Sequence, residues 1–185
     1  MNLSVLLAAR LGRWWICLAL FVVSLVLFTW IVPAGVAEVT GNRQLAPKIL
    51  DEYLMTWTPA DAQHFYAAIG PKGRADYQHY YWKLDFWFPV LSLTLAYVSL
   101  LSLAFPARSR WVWLNLTPAA LWLSDGAENI NHFTMARTYP YLSAFSLSAG
   151  PWFTYIKWVL IFAIPLLAVI GFVVQRRKPS PADAG

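Results

Sequence analysis

Four apolar stretches organise the chain. Trp14 to Ala34 runs for 21 residues without a charge, and about 20 apolar residues suffice to cross a hydrocarbon core of about 30 Å. The same reasoning predicts spans at about 14–34, 86–105, 111–131 and 152–174. Trp82, Trp87, Trp111, Trp113, Trp152 and Trp158 edge the last three, and their amphipathic rings favour the headgroup region. The fold class expected is an all-α membrane protein: a four-helix transmembrane bundle with an external helical cap, about 35–85, between helices 1 and 2. The whole chain, 1–185, forms one membrane domain, and the Pro- and Ala-rich end, 175–185, is expected to be a disordered cytoplasmic tail.

Within the cap segment, Leu45, Ile49, Tyr53 and Trp57 recur at four-residue spacing and predict a helix with one apolar face. Thr58-Pro59-Ala60-Asp61 then reads as an N-cap, a first-turn proline and a first-turn acid. That helix should stop at Gly70-Pro71. A further one is predicted from near Gly73 through Asp76, His79 and Lys83 into the second span. Pro89, Pro118 and Pro165 fall inside predicted spans, where a missing backbone donor predicts kinks.

Composition agrees with lipid as the solvent: 59% of the 185 residues are hydrophobic and 12% are charged, against about 25% charged in an ordinary soluble domain. The net charge of +5 does not point to nucleic acid, because seven of the fourteen Lys and Arg flank span ends. Arg10 and Arg13, Arg108 and Arg110, and Arg176, Arg177 and Lys178 all fall on one side of a four-span weave. The positive-inside rule makes that side cytoplasmic. The expected location is the cell inner (plasma) membrane, multi-pass, with both termini cytoplasmic. Residues 1–37 also resemble a signal peptide, although their apolar run exceeds the usual 7–15 residues. Cleavage would leave three spans in the same orientation.

The third span carries the chemistry. Asp125, Glu128, Asn129 and His132 are spaced i, i+3, i+4 and i+7, which places them on one helical face. At 1.5 Å per residue Asp125 lies about 21 Å along a helix entered at Trp111, and roughly 9 Å from the outer surface. An acid at the centre of a span costs on the order of 2.5–3.5 kcal/mol and faces a bundle interior or an aqueous cavity. Lys157 in the fourth span and Lys83 and Asp85 at the start of the second are the candidate partners, with His79 and Tyr80 above them. The expected ligand-binding set is Asp85, Asp125, Glu128, Asn129, His132 and Lys157, around an outer-facing cavity for a lipid-like or small amphipathic molecule. The protein would then be a binding or accessory protein rather than an enzyme. Two alternatives stand beside it: an acid–base membrane enzyme with Asp125, Glu128 and His132 as catalytic candidates, and a polar network that only fixes helix register.

Glu128 and His132 share a face, but the paired Glu-x-x-His motifs of bundle di-iron sites are missing, so no metal and no cofactor are expected. Expected partners are membrane lipids and a hydrophobic small ligand, not nucleic acid. The chain has no GxxxxGK[ST], GxGxxG or GxSxG, so nucleotide-driven chemistry is not expected. Asn115-Leu116-Thr117 matches the glycosylation pattern but falls inside a span. Cys17 is the sole cysteine, so no disulfide framework exists.

Three short pieces together, Gly70-Pro71-Lys72-Gly73-Arg74-Ala75-Asp76-Tyr77, Leu84-Asp85-Phe86-Trp87-Phe88-Pro89 and Asp125-Gly126-Ala127-Glu128-Asn129, resemble a pattern of uncharacterised bacterial four-transmembrane-helix inner-membrane proteins: G-x-x-G-R-x-x-Y, L-D-x-x-F-P and D-x-x-E-N. The resemblance implies the four-span plan and draws attention to Asp85, Asp125, Glu128 and Asn129, and it implies no activity. The plan of four spans with membrane-embedded acids is also similar to that of the sterol-isomerase and sigma-2-receptor superfamily, by topology only.

Overall fold

The computed structural model describes residues 2–41, 48–54, 56–80 and 88–176. Every regular element among them is helical: α1 (Leu3–Leu11), α2 (Trp14–Val26), α3 (Val32–Thr40), α4 (Pro59–Ala68), α5 (Gly70–Tyr80), α6 (Pro89–Ala104), α7 (Pro118–Thr138) and α8 (Ala144–Arg176). Short 3-10 turns occupy Leu50–Glu52 and Val112–Leu116.

A π-helical segment, Leu27–Ile31, joins α2 to α3 into one helical run, Trp14–Thr40. Its cause is local. Pro33 has no N–H for the carbonyl one turn back, and the Val32 N–H reaches five residues, to the Leu27 oxygen. Such bulges relieve a broken ladder without ending the helix. Trp14–Thr40 and Ala144–Arg176 are, among the described residues, the two helices long and apolar enough to cross a membrane, with mean hydropathy of 2.6 and 2.5 over their most apolar windows. α6 is apolar but only 16 residues long.

The prolines behave in two ways. Pro89 and Pro118 do not kink a span; each opens a helix, α6 and α7, where its missing donor has no intrahelical partner to lose. The third apolar helix therefore starts at Pro118 rather than near Trp111, after a 3-10 turn, and runs to Thr138. Pro165 lies inside α8, which continues through it. The carbonyl that proline leaves unserved is that of Ile161, and the Tyr97 hydroxyl of α6 donates to it at 2.9 Å.

α7 packs most extensively on α8, and α2 on α6. Tyr97, Leu101, Leu121, Ile164 and Ala168 form the core between α6, α7 and α8. α1 lies across the end of α6: the Ser99 hydroxyl donates to the Leu11 carbonyl at 2.6 Å, and the Asn115 amide to the Ser4 carbonyl at 2.9 Å. Asn115 is fully buried, so its glycosylation pattern is a packing residue.

A second apolar core joins the connection between α3 and α6 to the C-terminal end of α7. It contains Ile49, Leu50, Phe65, Tyr66, Tyr77 and Met135. Thr58 and Asp61 form a capping box at the start of α4, and Gly70, the first residue of α5, takes φ +69, a conformation open to glycine. The helix predicted through Leu45, Ile49, Tyr53 and Trp57 is absent over its described part. Ile49 and Tyr53 are extended, with a 3-10 turn between them. The buried positions are Ile49, Leu50 and Trp57, a tertiary pattern and not one helical face. α5 starts at Gly70, three residues ahead of the predicted start. Leu45, its continuation through Lys83, Asp85, Trp82, Trp87 and the tail from residue 177 lie outside the described residues.

Candidate functional site

The polar stripe lies between the two apolar cores, Leu121 below it on α7 and Met135 above. Asp125, Glu128, Asn129 and His132 are 1%, 0%, 3% and 0% exposed. Facing them, α8 buries Gly150, Thr154 and Lys157, again at i, i+4 and i+7, so two complementary stripes meet along the α7–α8 seam.

Glu128 is the centre. Its Oε2 pairs with the Lys157 ammonium, its Oε1 accepts from the Thr154 hydroxyl, and His132 Nε2 stands 3.7 Å from Oε1. Lys157 Nζ also lies 3.7 Å from Asp125 Oδ1, and the Asn129 amide donates to Asp125 Oδ2 at 3.1 Å. One cation thus serves two carboxyls. The two carboxyls are held further by the hydroxyl of Thr154 and the amide of Asn129, so each is met by both a cation and a hydrogen-bond donor. Low-dielectric surroundings make such charge pairing and hydrogen bonding obligatory.

The segment between α3 and α6 roofs this cluster. The Trp57 indole N–H donates to Thr154 Oγ1 at 3.0 Å, and its ring lies 5.9 Å from that of His132. The Tyr66 hydroxyl donates to the His132 carbonyl at 3.3 Å and stands 3.3 Å from His132 Nδ1. Tyr77 closes the other side of the imidazole, with ring centroids 6.2 Å apart. Burial pushes the Tyr66 phenol well above its usual range, and the charges of Asp51 and Glu128 push the same way; it remains a donor. Gly150 permits the close approach, since a Cβ there would come within 2.4 Å of Asn131 Nδ2 and 2.5 Å of Trp57.

Five of the six residues expected at the site converge; the sixth, Asp85, lies outside the described residues. The space where an outer-facing cavity was expected is filled by Trp57, Tyr66 and Tyr77. His79 is exposed on α5, and Tyr80 packs on Gly35 of α3, so neither closes the cluster. The sequence does not place Thr154, Trp57, Tyr66 or Asp51 at the site, and it marks Trp57 only as part of an apolar helical face. Thr154 was legible as the residue three before Lys157, whereas Trp57, Tyr66 and Asp51 arrive through the tertiary fold; Asp51 lies within electrostatic range of both Tyr66 and Lys157. Among the described residues no three His, Cys, Asp or Glu side chains form a group able to hold a metal ion.

Beside the roof, a groove of about 410 Å³ opens along α8, lined by Thr56, Pro151, Trp152 and Tyr155. Trp152 and Tyr155 stand edge to face at 5.9 Å and are 63% and 41% exposed. No family model, curated protein or solved structure matches the chain.

Proposed function

We propose that this chain is a four-span inner-membrane protein, with α4 and α5 forming an external cap and both termini cytoplasmic, that binds a lipid-like or small amphipathic molecule along the outer part of α8. The apolar body of the ligand lies in the groove of Thr56, Pro151, Trp152 and Tyr155. Its polar end meets the edge of the Trp57–Thr154–Glu128 chain of hydrogen bonds. The observation that carries this reading is the adjacency of an exposed aromatic groove, of a volume common in ligand sites, to the hydrogen-bonded edge of a buried charged cluster, one residue away in sequence at two points, Thr56 beside Trp57 and Tyr155 beside Thr154. Two intramembrane carboxyls are a functional-site signal in their own right.

The register-fixing alternative draws on a specific observation as well: Glu128 and Thr154 are both 0% exposed, as in an interhelical polar lock. Native purification followed by mass spectrometry of bound lipids separates the two. One lipid class should co-purify reproducibly, and Trp152→Ala and Glu128→Gln should each reduce its recovery several-fold while circular dichroism remains helical. If Trp152→Ala leaves recovery unchanged and Glu128→Gln lowers only the melting temperature, the lock reading replaces the binding one.

A further inference from the structure

We infer that the opposite end of the bundle holds a second site, for the phosphate headgroup of an anionic phospholipid, between the α6–α7 turn and the end of α8. A cavity of about 180 Å³ lies there, walled by Phe105, Ser109, Arg110, Trp111, Gly171 and Gln175 among others. Its floor is apolar and its rim is polar and cationic. The Arg110 guanidinium sits 5.0 Å over the Trp111 ring, which holds the charge at the mouth. α8 approaches the end of α6 closely along this wall because it carries glycine at position 171: a Cβ there would come within 2.7 Å of Phe105 and 2.9 Å of Ala104. Gln175 fixes the wall, its amide donating to the Leu103 carbonyl at 3.1 Å and to the Ala104 carbonyl at the end of α6.

Charge selects the occupant. The segments that meet at this end, 3–16, 102–118 and 168–176, contain Arg10, Arg13, Arg108, Arg110 and Arg176 and no Asp or Glu. None of these arginines has an acid–base partner among the described salt bridges. Basic pockets between membrane helices on the cytoplasmic side attract anionic headgroups, and arginine matches phosphate oxygens two at a time. The exposed apolar residues beside the pocket, Val173 and Val174 on α8, give the acyl chains a surface to follow. The site rests on the membrane reading and not on the groove near Trp152.

The test is a thermal-shift titration of the full chain, delipidated in mild neutral detergent. Phosphatidylglycerol or cardiolipin should raise the melting temperature by about 4 °C or more at saturation, and phosphatidylcholine of the same acyl chains should not. Arg110→Gln should abolish the shift, Arg176→Gln should reduce it, and Arg137→Gln, on the far end of α7, should leave it intact. Raised salt should weaken it. Equal shifts with phosphatidylcholine, or a full shift in both Arg110→Gln and Arg176→Gln, would overturn the site. An equal shift with glycerol phosphate at the same concentration would overturn the lipid as its source.

Discussion

Lys157 answers to two carboxyls, and its removal is therefore asymmetric. Lys157→Met leaves Glu128 and Asp125 buried without their cation, and breaking a buried pair in this way costs about 3–5 kcal/mol. Glu128→Gln combined with Lys157→Met should recover part of that loss, since fewer charges stay uncompensated. Reversible unfolding in mixed detergent, run as a double-mutant cycle, measures both numbers. A loss under about 1 kcal/mol for Lys157→Met would mean that water reaches the pair and screens it. The stripe itself was readable at this scale, because helical spacing alone aligns Asp125, Glu128, Asn129 and His132. Its closure was not. Trp57 and Tyr66 reach Thr154 and His132 through contacts 97 and 66 residues apart in sequence, and no local pattern encodes such a distance.

At the scale of the element, α4 is the helix most completely specified by its own residues. Thr58 accepts from the Asp61 N–H at 3.2 Å, and the Asp61 carboxyl accepts from the Thr58 hydroxyl at 2.6 Å and from the Thr58 N–H at 2.7 Å; the hydroxyl bond first, and the N–H bond after it, hold that carboxyl below its ordinary 3.8. A carboxyl lowered in the folded state contributes stability above its unfolded value, and the contribution fades as pH falls through the folded one. The N-terminus of α4 should therefore loosen only below about pH 4, and Asp61→Asn should remove that pH dependence; hydrogen exchange of the 58–62 amides between pH 3 and 6 reads it. A loosening that persists unchanged in Asp61→Asn would assign it to another group. The capping signal was legible in Thr58-Pro59-Ala60-Asp61 because every partner is local. The neighbouring 49–57 stretch misled for the opposite reason. Its apolar spacing suits a helix, yet Leu50 and Trp57 are drawn into the core around Tyr66 and Met135, and that packing overrides the periodicity. Proline was misread in the same way: Pro89 and Pro118 sit at helix starts, and a span-length apolar run does not reveal where within it the helix begins.

For the whole molecule, the structure shows two helices long and apolar enough to cross a membrane among the described residues, and the proposed topology adds α6 and α7 to make four spans. In that topology α6 is 16 residues long, and α7 turns its charges into the seam with α8. A periplasm-active reporter fused after Val174 should be silent, and one fused after Gly41 active; activity after Val174 would reverse the orientation.

The binding claim is tested most directly by photo-crosslinking. A phospholipid bearing a diazirine in its upper acyl chain, added to the folded chain and mapped by peptide mass spectrometry, should label the stretch 151–155 and Thr56 well above Leu166, Val169 and Ile170, which are equally lipid-accessible on α8 with exposures of 62%, 56% and 51%. Glu128→Gln should bring the labelling of 151–155 down to that background. Uniform labelling along α8 in the unmodified chain would contradict the account, leaving Trp152 and Tyr155 as ordinary lipid-facing residues and the charged cluster as a lock between helices.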